Sequence, residues 1–182
     1  MIRVTNIGKR FGATRALRGI SFEVGLGEVV GFVGPNGAGK TTTLRILTGF
    51  VEPDDGEVEV GGFDMRKHGQ EARATLGYMP ERTPLCDDMR VQEFLRFRAR
   101  IKGLGRKSAR LAVDRETERF ELGEVRRRLI GHLSRGFRQR VALADAIIAD
   151  PKVLLLDEPT TGLDPLQRRS FRKLLAQLSE GR

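Results

Sequence analysis

The stretch Gly34-Pro-Asn-Gly-Ala-Gly39-Lys40-Thr41 decides the fold. It fits the pattern G-x-x-x-x-G-K-[ST], in which backbone N–H groups cradle phosphates. Before it, Glu28-Val-Val-Gly-Phe-Val-Gly34 is a nearly continuous apolar run, and this predicts a buried parallel strand. After it, Thr41 to Phe50 reads as a helix. Strand, glycine loop and helix N-terminus make an anion site, because the free N–H groups and the positive helix end converge there. Glycines at 34, 37 and 39 allow backbone conformations that a side chain would forbid. Lys40 is then placed to reach the β- and γ-phosphates of a nucleotide, and the Thr41 hydroxyl to hold Mg²⁺.

A phosphate loop needs an acid that organises the metal. Leu154-Leu-Leu-Asp157-Glu158 supplies one at the end of a second buried strand, 117 residues after Lys40. Asp157 is the candidate for orienting Mg²⁺. Glu158 is the candidate for polarising an attacking water. Paired with the loop, the two acids favour hydrolysis over an ordinary strand end.

Outward from these motifs, the chain has 182 residues, enough for one domain or one domain with an insertion. Hydrophobic residues are 39% and charged residues 31%, unlike a disordered tail. No apolar run approaches the ~18 residues of a membrane-spanning helix. Met1 runs directly into strand-like sequence, so no signal peptide is expected. A single cysteine, Cys86, excludes a disulfide framework and a cysteine-rich zinc site. Ile2 to Ile7, Ser21 to Val24 and Glu57 to Val60 alternate as half-buried strands do. Pro53 to Gly56 is a turn, and Thr75 to Met79 a short strand. The spacing predicts helices over Val91 to Lys102, Ala109 to Phe120, Arg138 to Ala149 and Pro165 to Ser179.

The net charge of +9 sits in one segment. Arg90 to Arg140 holds 16 basic and 6 acidic residues, a net of +10, and the rest nets −1. Such a segment suits nucleic acid, an acidic partner, an anionic membrane surface, or merely a solvated helix face.

In order and over essentially the whole chain, these motifs resemble the ATP-binding subunit of an ABC transporter. Lys9-Arg-Phe-Gly12 resembles the loop whose aromatic ring stacks on adenine, here Phe11. Gly77-Tyr-Met-Pro-Glu81 resembles the loop joining core to helical subdomain, with Glu81 where Gln is usual and still an oxygen ligand for metal. Leu133, Ser134, Arg135, Gly136 and Phe137 resemble the signature motif, usually Leu-Ser-Gly-Gly-Gln, with Arg135 and Phe137 as departures. Ser134 is also a good N-cap for a following helix. Thr161-Gly-Leu-Asp164 resembles the loop crossing the dimer interface. The variant signature, with Tyr78 to Leu85 and Met89 to Leu95, resembles export and gliding-motility subfamilies.

The resemblance implies an α/β phosphate-loop NTPase core with an N-terminal antiparallel β-subdomain and an inserted α-helical subdomain. One domain, 1–182, would comprise core and β-subdomain (1–85 and 151–182) and helical subdomain (86–150). It implies ATP held by Phe11, Gly34, Pro35, Asn36, Gly37, Ala38, Gly39, Lys40, Thr41 and Thr42. Thr41, Asp157 and Glu81 would hold Mg²⁺, and Glu158 and Lys40 would be catalytic. Leu133 to Phe137 would meet ATP of a second ATP-binding subunit, in a homodimer or heterodimer, with the Asp164 loop between them. The partner implied is a membrane-spanning transporter subunit, the location cytoplasmic on the inner face of the membrane. Arg-rich surface, including Arg126, Arg127 and Arg128, is expected to meet lipid head groups or an acidic coupling element.

The family's last core strand and its catalytic histidine are not assignable. His68 lies in a polar turn and His132 beside the signature. The chain therefore reads as truncated at its C-terminus, poorly hydrolytic alone and prone to aggregate. The alternatives are a hydrolysis-impaired nucleotide-binding fragment or a nucleic-acid-associated ABC ATPase. The short gap between motifs argues against the latter, so no nucleic acid is expected.

Overall fold

The computed structural model describes residues 1–35 and 37–179. They gather into two compact units, Met1–Leu76 and Gly77–Leu178.

The first unit is built on an antiparallel sheet. Strands β1 (Ile2–Phe11), β2 (Thr14–Val24), β3 (Asp55–Val60) and β4 (Phe63–Asp64) lie in the order β2-β1-β3-β4. β1 and β2 form a hairpin in which Phe11 pairs with Thr14 across a two-residue turn. Ile2, Val4, Ile7, Leu17, Val58 and Val60 fill the buried face. β1 carries register shifts after Val4, Ile7 and Lys9. One meets Gly56 at a φ of 83°, where a Cβ would strike the carbonyl oxygens of Thr5 and Asn6. Only glycine lets the backbones approach that closely. Two short helices complete the unit, α1 (Lys40–Leu47) and α2 (Gly69–Ala74).

The strand expected over 28–34 is not formed. The segment joins no ladder among the described residues, and Val29 and Val33 are 81% and 96% exposed. A parallel strand gains its burial from hydrogen-bonded neighbours on both edges, and an apolar run without them stays open. Phe32 lies edge-on to Phe22 with ring centroids 5.1 Å apart.

The second unit is mainly helical. Its helices are α3 (Val91–Ile101), α4 (Arg106–Arg119), α5 (Arg135–Ile147) and α6 (Pro165–Ser179). Strands β5 (Leu76–Met79) and β6 (Val153–Leu156) pair in a small parallel sheet. Gly77 in β5 sits where a Cβ would lie 2.5 Å from the carbonyl oxygen of Ala146, so α5 packs directly on strand backbone. Phe94, Leu95, Phe120, Leu122, Ile130, Leu143 and Ile147 form a fully buried core between the helices. α5 begins three residues before the sequence reading, because Ser134 caps it and Arg135 to Phe137 make its first turn. Buried Glu116 is neutralised by Arg115 at 2.5 Å and Arg119 at 3.3 Å. No helix among the described residues is long and apolar enough to cross a membrane.

Candidate functional site

In the first unit, the phosphate loop opens α1. Gly39 is the N-cap, at a φ of 87°, and no side chain caps the helix. Among the described residues, the leading N–H groups of α1 have no partner. A Cβ on Gly39 would lie 2.5 Å from Leu17 Cδ2 and 2.9 Å from the Ala16 carbonyl oxygen. The loop thus turns over β2 at a distance only glycine permits. Gly37 also has a positive φ, 82°. Ala38 N–H donates to the Pro35 carbonyl at 3.2 Å. Lys40 Nζ donates to the carbonyls of Gly34 at 2.7 Å and Pro35 at 2.9 Å. A half-buried ammonium thereby lies over the loop whose N–H groups it would reinforce. Thr41 is exposed, Thr42 is half-buried, and Asn36 lies outside the described residues.

Phe11 ends β1 with its ring about half exposed, not packed in the core as a strand-end Phe would be. Lys9 Nζ stands 5.7 Å from the ring centroid. Lys9 also pairs with Asp54 at 2.6 Å. That bond and one from the Arg10 N–H hold the Asp54 carboxyl below the usual carboxylate range.

In the second unit, Asp157 follows β6 and is buried, and its N–H donates to the Met79 carbonyl at 2.9 Å. The bond anchors the acid to the end of β5, two residues before exposed Glu81. Glu158 has a φ of 46°, which turns its side chain out of the strand line and leaves it exposed. Its carboxylate accepts from Thr161 Oγ1 at 2.9 Å, so the glutamate is oriented by the next loop.

The signature segment and that loop are held together. The Phe137 N–H donates to Ser134 Oγ at 3.4 Å, capping α5. Arg135 Nη1 donates to the Gly162 carbonyl at 3.1 Å, and Gln139 Nε2 to the Pro159 carbonyl at 2.6 Å. Leu133 is buried, and Gly136 and Phe137 are half-buried. Asp164 caps α6, accepting from the Gln167 N–H at 2.8 Å. Sequence reasoning missed Gln139 and Gln167 and gave Arg135 no partner. The spacing Asp164-x-x-Gln167 resembles a capping box and was the available signal.

The donors proposed for metal fit Mg²⁺ in kind. A threonine hydroxyl and carboxylates are hard oxygen ligands, and Mg²⁺ takes one or two carboxylates, with water and phosphate completing its shell. Among the described residues, no group of three or more His, Cys, Asp or Glu side chains could hold a metal ion.

A glycine loop opening a helix, its lysine, and an Asp-Glu pair closing a strand define a phosphate-loop nucleotide-binding domain. The sequence profile of the ABC transporter family matches residues 17–161. The ABC transporter ATP-binding protein NatA of Bacillus subtilis is 39% identical over 98% of this chain and 74% of its own length. The daunorubicin resistance ATP-binding protein DrrA3 of Streptomyces coeruleorubidus is 40% identical over 92% of this chain and 53% of its own length. Among solved structures, an ATP-binding subunit of an ABC transporter superposes with a TM-score of 0.86 at 27% identity, covering 99% of this chain and 75% of that one. So does cbiO1 of Clostridium perfringens, part of the ABC transporter complex cbiONQ, at 0.86 and 29% identity over 98% and 73%. The chain belongs to the ABC transporter family, among its ATP-binding subunits, which are ATPases. It spans about three quarters of NatA but about half of DrrA3.

Proposed function

We propose that this protein binds ATP with Mg²⁺ and hydrolyses it to drive export through a membrane-spanning partner. The observation that carries the reading is the uncapped N-terminus of α1, with Gly39 pressed on β2 and Lys40 folded over the loop. Gly34, Pro35, Asn36, Gly37, Ala38, Gly39, Lys40, Thr41 and Thr42 surround the phosphates, and the exposed Phe11 ring stacks on the base. Thr41, Asp157 and Glu81 hold the metal, which when bound neutralises developing phosphate charge. Glu158, fixed by Thr161, takes a proton from the attacking water.

The signature segment Leu133, Ser134, Arg135, Gly136 and Phe137 serves ATP on a second ATP-binding subunit, in a homodimer or heterodimer. Asp164 and its loop line that interface. The whole is one ATP-binding domain, with 1–85 and 151–182 as core and β-subdomain and 86–150 as helical subdomain. It works in the cytoplasm on the inner face of the membrane. The export direction rests on relatives whose names speak of daunorubicin resistance and Nod factor export.

Glu158→Gln tests the chemistry. Turnover should fall about a hundredfold or more with ATP affinity kept, since the amide cannot take the proton. Turnover at the parental rate in a variant that binds ATP would remove Glu158 from its role.

A further inference from the structure

The basic segment has a shape that its composition did not show. Arg96 and Arg100 from α3, Arg106 and Arg110 from α4, and Arg126 line one pocket of about 500 Å³. Arg126 is held at the pocket wall by Asp114 at 2.6 Å and by Gln92 at 3.1 Å. Among the described residues, none of the other four guanidinium groups has a carboxylate within 4 Å. With Asp114 counted, the pocket carries a net charge of +4. The first turn of α4, which Arg106 opens, has no acidic residue and no side-chain cap. Its positive helix end adds to the same potential.

Apart from Arg126, these arginines make no ion pair among the described residues that would tie them to the fold. Like charges gathered in one concavity repel. The pocket is within the size range of small-ligand sites, but its walls are guanidinium rather than apolar. Guanidinium forks match phosphate oxygens in bidentate pairs, and several forks in one cleft match more than one phosphoryl charge. We propose that this pocket binds a compact anion carrying two or more phosphate charges, separate from the nucleotide held at the phosphate loop. Of the residues named beforehand for anionic contact, only Arg126 belongs to it, and that one is already paired.

The anion can be free or the head group of a membrane lipid, and the test separates the two. The full chain carrying Lys40→Ala, to silence the phosphate loop, is titrated calorimetrically with pyrophosphate. In parallel it is sedimented with vesicles containing cardiolipin, whose head group carries two phosphates, and with phosphatidylcholine vesicles. The same measurements are made after adding Arg96→Gln and Arg110→Gln, or Arg127→Gln and Arg128→Gln from the same basic segment. Circular dichroism checks folding, and both pocket positions are exposed. The expected result is binding that weakens about tenfold or more with the pocket pair and little with the control pair. Pyrophosphate binding identifies a free anion, and binding to cardiolipin vesicles alone identifies a lipid head group. Binding to neither, or equal loss with both variant pairs, would overturn the proposal. So would retention of RNA or an acidic peptide without either phosphate probe.

Discussion

Asp145 anchors the helical unit from inside, and removing it should be expensive. It sits in α5 at 4% exposure. Its carboxylate takes Arg98 Nε at 2.9 Å and Lys102 Nζ at 3.3 Å, both from the end of α3 or just beyond it. Breaking a buried ion pair on one side costs about 3–5 kcal/mol. Here the cost is smaller. The Arg98 side chain is 35% exposed and can turn to water, and Lys102, at 23%, keeps the backbone carbonyls of Asp145 and Ala146 as acceptors. Alanine also regains roughly 0.5 kcal/mol of helix propensity. Asp145→Ala should therefore lose about 2 kcal/mol, read by urea unfolding followed by circular dichroism.

The pH dependence identifies the partner. Burial lowers the Lys102 pKa from its usual value, and the Asp145 charge opposes that fall. Between the lowered folded value and the ordinary lysine value near 10.5, the native state binds fewer protons than the unfolded one, so stability rises with pH. Without Asp145 the fall deepens and this window widens toward neutrality. The gap between parent and variant should narrow from pH 7 to pH 10, because a neutral amine needs no counter-charge. A loss under about 0.5 kcal/mol would refute the buried pair. A gap independent of pH would refute Lys102 as its partner.

Gly39→Ala forces a methyl group against Leu17 and the Ala16 carbonyl at a φ of 87°. A left-handed alanine costs roughly 1–2 kcal/mol, so affinity for a fluorescent ATP analogue should fall about tenfold. Unchanged affinity would mean that the loop does not hold the nucleotide. Arg135→Ala frees the Gly162 carbonyl. It should speed hydrogen exchange across Thr161 to Leu163 while lowering stability by less than about 1 kcal/mol. Phe120→Ala empties a fully buried site in the helical core and should cost about 3–5 kcal/mol by urea unfolding.

What was legible in the sequence was local. α6 occupies Pro165–Ser179 and α3 Val91–Ile101 because their apolar spacing follows a helical period that packing then used. The glycine loop at the start of α1 and the Asp157-Glu158 pair after β6 were legible as motifs because each is contiguous along the chain. Pairing was not. β2 starts at Thr14, seven residues before the alternation at Ser21 suggested, since β1 supplies a ladder that composition does not report. The apolar run 28–34 looks like a strand in sequence, yet a strand is defined by its neighbours, and among the described residues it has none. The arginine pocket failed to show for the same reason. Charge can be counted along one segment, but concavity arises only when α3 and α4 fold against each other.

Arg135 shows how a departure from a motif acquires meaning from structure. In sequence it stands where the family usually has glycine, and nothing in the string gives the substitution a purpose. In the fold its guanidinium reaches the carbonyl of Gly162, itself at a φ of 73°. A Cβ on Gly162 would strike that same guanidinium. The contact therefore needs two residues 27 positions apart, a long donor at one and the absence of a side chain at the other. A glycine at 135 could supply no such donor. Gln139 adds a second tie from the same helix to Pro159, and Thr161 in the tied loop orients Glu158. Helix α5 and the loop after Glu158 are thus one hydrogen-bonded assembly. A change at the start of α5 can consequently reach Glu158 through the 159–162 backbone, without touching a nucleotide.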